Sequence, residues 1–187
     1  MSTAAVLPGL TDWVKQHVTT LYTATSKDAF TDAFNAFVAK NASITVNGKK
    51  ISRDQYMQQL LSQKFEEAGA EVNFLATVEV PADPTQTDVA GDVGASFKAT
   101  IDEKFLVLGV PETRIVTSSL NVVIIRDPTI EPPHLPGKGG LFDPRRVSVL
   151  NQVTVVDPNS VLIPLPNPGG PVNPGGPIKP PTSGSSN

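Results

Sequence analysis

Two histidines, His17 and His134, and no cysteine are what this chain offers for metal or nucleophilic chemistry. The histidines lie on remote segments without metal-ligand spacing, so a zinc site would have to recruit distant carboxylates, and no metal is expected. The absence of cysteine excludes thiolate nucleophiles, thiolate metal sites and disulfides. Gly91-Asp-Val-Gly94 is not followed by a Walker-type lysine and serine and has no surrounding strand-turn-helix, so it reads as the turn that opens a strand. Gly137-Lys-Gly-Gly140 lacks the helix amino terminus that makes a glycine loop an anion site. No cofactor is expected. What remains is the chemistry of phenols, imidazoles, carboxylates and amides: proton transfer, and hydrogen bonds to a carbonyl.

One polar set is periodic. In Arg114-Ile-Val-Thr-Ser-Ser-Leu-Asn121, residues Thr117, Ser119 and Asn121 alternate with Val116, Ser118, Leu120 and Val122, and either set could line a cavity. If the first set faces inward, Asn121 hydrogen-bonds a ligand carbonyl while Val123 and Ile125 contact its apolar body. His134 sits in Pro132-Pro-His-Leu-Pro, inside a stretch from Asp127 to Pro144 that is long for a hairpin connection. Such a loop either covers a site or simply joins two strands.

The elements that must hold these residues follow from periodicity. Leu10, Val14, Val18 and Leu21 recur at helical spacing, with Trp13 and His17 one turn apart beside them. Ser26 can cap a second helix, with Asp28 in its first turn and Phe30, Phe34, Phe37 and Val38 on one side. Ile44 to Ile51 reads as a tight hairpin, because Asn47-Gly48 supplies left-handed dihedrals. Ser52 and Gln55 form a capping box and Ile51 and Tyr56 a hydrophobic staple, predicting a third helix from about Arg53 to Lys64. The period then changes to two over Glu71 to Val80, Asp92 to Leu108, Arg114 to Arg126 and Arg146 to Val156. Val93, Ala95, Phe97, Ala99 and Ile101 make one apolar strand face, which contains no acid. Helices followed by long strands predict an α+β domain.

Helix, helix, hairpin, helix and long strands, with Ala42-Ser-Ile-Thr-Val-Asn-Gly-Lys-Lys-Ile-Ser-Arg-Asp-Gln-Tyr56 leading from the first strands into the third helix, resemble the nuclear transport factor 2-like (NTF2-like) superfamily and its SnoaL-like branch. The resemblance covers roughly Leu10 to Val156. It implies three N-terminal helices packed on a strongly curved antiparallel sheet that encloses a cone-like pocket. It also implies a choice of roles: dehydratases, isomerases, cyclases, transport adaptors and dimerisation modules share the fold. Enzymes of this superfamily place Asp, His or Tyr inside the cone, which makes Tyr22, His17 and Asp32 the catalytic candidates. The ligand-lining candidates are Trp13, Phe34, Tyr56, Phe97, Asn121 and His134.

Composition bounds the rest. At 187 residues, 39% hydrophobic, the chain is long enough for one domain with a sizeable core. A net charge of −3, without a basic stripe or interleaved aromatics, argues against nucleic acid. No segment approaches the roughly 20 apolar residues of a membrane-spanning helix, and no secretory signal opens the chain. A cytoplasmic location is the expectation. The domain is expected over 1–158 and a Pro/Gly/Asn-rich tail over 159–187. In that tail Pro168, Pro171, Pro174, Pro177 and Pro180 recur every third residue, along one ridge of a polyproline II helix. It reads as a spacer, as a ligand for a proline-recognising partner, or as cover for a groove of the domain or of a dimer partner. For the whole chain, the leading expectation is a module that binds a small apolar ligand or pairs as a homodimer. The alternative is a metal-independent lyase, isomerase or cyclase acting on an apolar carbonyl compound.

Overall fold

The computed structural model describes residues 7–62, 67–107, 110–131 and 142–160, with side chains at all of these except 67–68, 103–107, 110–112 and 158–160. Among them, helix α1 (Leu10–Thr23) buries Leu10, Trp13, Val14, Val18, Leu21 and Tyr22 along one stripe. Gly9 has no side chain to cap it. The Glu79 carboxylate from a later strand takes over, accepting a hydrogen bond from the Thr11 backbone N–H at 2.6 Å, which satisfies an orphan donor and favours the helix dipole. Helix α2 (Lys27–Phe37) starts as expected, with Ser26 Oγ accepting from the Ala29 N–H at 3.1 Å. Helix α3 is described over Arg53–Ser62; the expected continuation to Lys64 lies outside the described residues. Both bonds of its capping box are present: Gln55 N donates to Ser52 Oγ at 3.1 Å and Ser52 N donates to Gln55 Oε1 at 2.9 Å.

Strands β1 (Val38–Val46), β2 (Lys49–Ile51), β3 (Glu67–Pro81), β4 (Gly91–Val107), β5 (Val110–Arg126) and β6 (Arg145–Ser160) form one sheet in the order β2-β1-β6-β5-β4-β3. Asn47 and Gly48, at φ 50° and 77°, make the expected two-residue turn between β1 and β2. Asn47 also ties the turn to β6: its Nδ2 donates to the Thr154 carbonyl at 3.0 Å, and its Oδ1 accepts from the Thr154 N–H at 2.8 Å. β6 runs to Ser160, and residues 161–187 lie outside the described residues.

Two features of the expected fold are corrected. The sheet is mixed, because β1 runs parallel to β6 (Ile44 opposite Leu150, Val46 opposite Gln152). Val38, read as part of the aromatic helix face, is instead the first residue of β1, and its N–H closes α2 by donating to the Phe34 carbonyl. The sheet is also neither closed nor strongly curled, so there is no cone. Bulges bend a strand and raise its local twist; the register shifts here fall at Glu67/Gly69 and Phe74/Ala76 on β3, Asp102/Leu106 on β4, and Thr113/Ile115 and Val123/Ile124 on β5, and β5 pairs with β6 without a shift from Ile115 to Val123. The β4–β5 ladder is unbroken from Gly91 to Asp102.

Alternation along the strands settles which set faces the helices. Val93, Ala95, Phe97, Ala99 and Ile101 are buried with Val116, Ser118, Leu120, Val122 and Ile124. Thr117, Ser119 and Asn121 are exposed on the other face. Gly91 starts β4 at φ 154°, and a Cβ there would overlap the Val80 carbonyl oxygen and come within 2.8 Å of Leu10 Cδ1 and Pro81 Cα. Because two of these neighbours are backbone, repacking cannot relieve the clash. Gly91→Ala is therefore expected to lower the unfolding free energy by about 2 kcal/mol or more, read as a shifted urea midpoint. An unchanged midpoint would refute this account of the glycine.

Candidate functional site

Tyr56 begins a buried polar chain in the interior. The capping box fixes the start of α3 and turns Tyr56 inward, where its hydroxyl donates to Gln152 Oε1 at 2.8 Å. Gln152 Nε2 donates in turn to Ser118 Oγ at 2.8 Å. Burial pushes the Tyr56 phenol well above its ordinary pKa, and the nearby Tyr22 adds to the rise. Burial raises Tyr22 in the same way. Both phenols are therefore proton donors at ordinary pH and not bases. Tyr22 also meets the Phe97 ring edge-on, with centroids 5.8 Å apart.

The space beside these groups is small. An opening lined by Leu21, Tyr22, Phe30 and Leu60 has a volume of about 10 Å³, room for a single water at most. Among the described residues, expected ligand-lining side chains pack on one another instead: Phe34 packs on Phe30 and Tyr56, with centroids 6.2 Å and 6.1 Å apart, under the Arg53 guanidinium at 4.7 Å.

The remaining candidates do not converge on this point. His17, on the same helix as Tyr22, is half-buried, packs at a tilt against Trp13 (4.3 Å) and stacks on Phe37 (5.4 Å). Burial lowers its pKa to about 4, with Asp143 opposing and the charges of Arg146 and Arg145 assisting. Asp32 is exposed on α2, and Asn121 is exposed on the far face of the sheet. His134 lies outside the described residues.

Beside the His17 stack is a constellation the sequence reading missed. Arg145, 1% exposed, grips Asp143 with Nε and Nη2 at 2.8 Å and 2.7 Å, and its Nη1 donates to the carbonyls of Pro8 and Asp88, both at 2.7 Å. The guanidinium also lies 5.3 Å from the Trp13 ring centroid. Burial works to raise the Asp143 pKa, but hydrogen bonds and charge from Arg145, with help from the Trp13 indole, bring it below the usual value. The indole N–H itself falls outside strict hydrogen-bond geometry to any acceptor among the described residues. Gln152 was missed as well, and Ser118 entered only as a member of the alternative strand set. Their only signal was a polar residue falling on an apolar period of a strand.

The larger concavity is on the opposite face. A shallow groove of about 290 Å³ crosses the sheet with Gly94 at its floor and Val78, Val80, Asn121, Val149 and Asn151 around it. Val78, Gly94, Asn121 and Asn151 are successive partners across β3, β4, β5 and β6. A Cβ at Gly94 would stand 3.1 Å from both Asn121 Oδ1 and Val78 Cγ1, so the small residue is what lets these side chains approach. Val78, Val80, Val153 and Val155 are each more than 60% exposed on this face. Among the described residues no group of three or more His, Asp or Glu side chains could hold a metal ion, and no helix is long and apolar enough to cross a membrane.

The His17 stack makes a titration prediction. Its folded pKa of about 4 lies below the unfolded value of 6.5, so the unfolded chain binds the extra proton between these values. The stabilisation from keeping His17 neutral is complete above pH 6.5 and is lost as pH falls toward 4. An NMR titration should find the His17 imidazole neutral at pH 5.5, and His17→Phe should flatten the fall in unfolding free energy over that window. A His17 midpoint near 6.5 would contradict the buried stack.

The sequence matches no family model and no curated protein. In structure the chain is similar to a candidate scytalone dehydratase from Novosphingobium aromaticivorans, at 9% identity and TM-score 0.49 over 79% of this chain and 86% of that one. It is similar to Mtr2 of Candida albicans at 12% identity and TM-score 0.47, over 80% and 95% of the two chains. An NTF-2 like protein of unknown function from Pseudomonas aeruginosa matches at 11% identity and TM-score 0.42, over 77% and 95%. Likeness at this level assigns no role to any side chain.

Proposed function

We propose that the protein is an interaction module of the NTF2-like class that works through the face of its sheet not covered by helices, and that its partner is a second copy of the same chain. The carrying observation is the contrast between the two faces among the described residues: about 10 Å³ of space beside Tyr22 on the helix side, against exposed Val78, Val80, Val149, Val153 and Val155 on the other. Scattered surface valines need no explanation, but Val78, Val80 and Val149 line one groove, and an apolar groove on a sheet face left bare by the helices marks an interaction surface.

Charge placement favours a second copy. On the outer side of β4 lie Asp92, Gly94, Ser96 and Lys98, of which Asp92 and Lys98 are exposed. The acid and the base are equidistant from Ala95. A two-fold axis lying between the two faces above that point, parallel to the sheet and perpendicular to β4, lays β4 antiparallel over its copy and sets each Asp92 against the other chain's Lys98. The residues between them, Gly94 and Ser96, are small enough for close approach. This is the self-complementarity an isologous interface requires.

Sedimentation equilibrium tests the pairing. Val80→Asp and Asp92→Lys are each expected to weaken self-association by about tenfold or more. Combining Asp92→Lys with Lys98→Asp is expected to restore it. A native chain that stays monomeric at millimolar concentration, or a swap that restores nothing, would overturn the reading.

A second reading, a SnoaL-like metal-independent lyase, isomerase or cyclase, is favoured by the Tyr22, Tyr56, Gln152 and Ser118 cluster, whose phenols stay protonated as donors for a ligand carbonyl. It requires the side chains around the opening to part. On this reading, an apolar cyclic ketone is expected to shift the Gln152 side-chain amide signals of the native chain and not of Tyr22→Phe. No perturbation at a saturating ketone concentration would rule it out.

A further inference from the structure

The last step of the pairing between β1 and β6 is made by a side chain. In a parallel ladder a residue's N–H donates to the neighbouring strand, its C=O accepts from the N–H two residues further along that strand, and the N–H two residues on donates to the C=O of that same neighbour. Val46 opposite Gln152 is the last regular pair of β1 and β6. One position on, Asn47 makes the first bond of the next step with its backbone, donating N–H to the Gln152 carbonyl at 2.9 Å. The other two bonds come from its carboxamide: Oδ1 accepts from the Thr154 N–H at 2.8 Å, and Nδ2 donates to the Thr154 carbonyl at 3.0 Å. At this point the chain turns through φ 50° and 77° into β2, which takes away the peptide groups that would have continued the ladder. The carboxamide, itself a peptide-like group, replaces them.

The residue that makes this joint is also chemically reactive. Asn47-Gly48 is the one Asn-Gly pair in the sequence, and both residues are exposed to water. Glycine has no side chain to shield its backbone nitrogen. When that nitrogen attacks Asn47 Cγ, a C–N bond closes a five-membered succinimide, the Cγ–Nδ2 bond breaks, and the proton from the Gly48 nitrogen leaves with Nδ2 as ammonia. Water then opens the ring at one of its two carbonyls, leaving aspartate or isoaspartate. We propose that Asn47 is a modification site of this kind: the intact carboxamide latches the β1–β2 hairpin to β6, and its conversion releases the latch in one direction. The inference goes beyond the pairing of two copies and uses none of the residues assigned to it.

The fold governs both the rate and the result. Two hydrogen bonds hold the carboxamide along β6, and both must part before its carbon turns toward the Gly48 nitrogen, so modification proceeds through local opening of the hairpin. Aspartate tolerates the left-handed conformation as asparagine does, and the turn survives. The carboxylate has no donor, however: one oxygen accepts from the Thr154 N–H while the other meets the Thr154 carbonyl, oxygen against oxygen. Isoaspartate instead adds a methylene to the main chain and displaces the turn. Neither product completes the ladder. The joint reaches further than the hairpin, because the Gln152 carbonyl holds Asn47 while the Gln152 side chain holds Tyr56, and Ser52 is the one residue between β2 and α3.

Two measurements on the full-length chain test the proposal. In the first, the native chain is incubated at mildly alkaline pH, folded and in concentrated guanidinium chloride, and peptide mass spectrometry follows Asn47. The folded chain is expected to convert measurably, but about tenfold or more slowly than the denatured one. In the second, Asn47→Asp supplies the product directly. Hydrogen exchange at the amides of residue 47 and Thr154 is expected to quicken by about tenfold or more, while Phe97 in β4 keeps its rate. Asn47→Gly, which keeps the left-handed turn without a carboxamide, should quicken the same two amides.

Equal conversion rates in the two states would show that the ladder does not hold the carboxamide and would overturn the proposal. A folded chain that stays unconverted after prolonged incubation would remove the modification site. Native exchange rates in Asn47→Asp would remove the latch. If that variant does not fold, the native chain converted in its folded state gives the same exchange reading. Self-association of the native chain is expected to be unaffected by which way these results fall, so the pairing is judged separately.

Discussion

Three helices can cover only one side of a six-stranded sheet, and the division of the sequence between the two sides governs the rest of the molecule. Strand residues alternate, so each long strand has to supply one set to the helices and another to whatever lies opposite. On β4 the inner set is Val93, Ala95, Phe97, Ala99 and Ile101, and the outer set is Asp92, Gly94, Ser96 and Lys98. A purely solvated outer face would continue that polar pattern on every strand. It does so on β4 but not on β3 or β6, where Val78, Val80, Val149, Val153 and Val155 stand in the outward positions. A one-residue slip would exchange the two sets and bury Asp92 and Lys98, so the register is strongly enforced by the inner face and the outer valines come along as its consequence.

Arg145 does for the edges of the fold what the aromatic residues do for its middle. A guanidinium taken out of water costs several kcal/mol unless its donors are satisfied, and here they are: two go to the Asp143 carboxylate and one nitrogen serves the carbonyls of Pro8 and Asp88. Those partners come from the segment before α1, the connection between β3 and β4, and the approach to β6. One side chain thereby fixes three stretches that have no other regular pairing with one another. Packing of Trp13 against both Arg145 and His17 extends the same cluster into α1, which explains why a histidine at that place is held neutral.

Signals that act over a few residues were legible in the sequence. The Ser52 and Gln55 capping box, the Ser26 cap, the Asn47-Gly48 turn and the period-two strands all depend on neighbours within four residues, and each is present. What depended on distant partners was not legible. The parallel pairing of β1 with β6 joins segments about a hundred residues apart, and it starts at Val38, which helical spacing assigns equally well to α2. Sheet curvature depends on bulges whose places are set by pairing, which a sequence does not reveal. The site suffered most. Tyr22 and Tyr56 do face inward, but Asp32 and Asn121 carry the same polar side chains whichever way they point, and only burial separates a pocket residue from a solvated one. Gln152 and Ser118 pair through the fold, and an isolated polar residue in an apolar strand gives no hint of its partner.

The interior chain from Tyr56 through Gln152 to Ser118 also bears on the outer surface. A buried polar network that is fully satisfied admits fewer alternative packings than an apolar core of the same volume, because each shift would break a hydrogen bond in a low-dielectric place. Tyr56 lies on α3, Gln152 on β6 and Ser118 on β5, so the chain fixes the third helix and two central strands to one another. Residues 117 and 119 flank Ser118, and residues 151 and 153 flank Gln152, along those strands, pointing the opposite way. Holding the inner residues in register therefore holds the outer ones: the spacing of Asn121 to Asn151 and of Ser119 to Val153 is set from behind the sheet. A surface that must recognise a partner by shape gains from such rigidity, since little ordering cost is left for binding. The packed inner residues and the exposed valine face are thus two sides of one arrangement, in which packing on the helix side prepares a fixed template on the other.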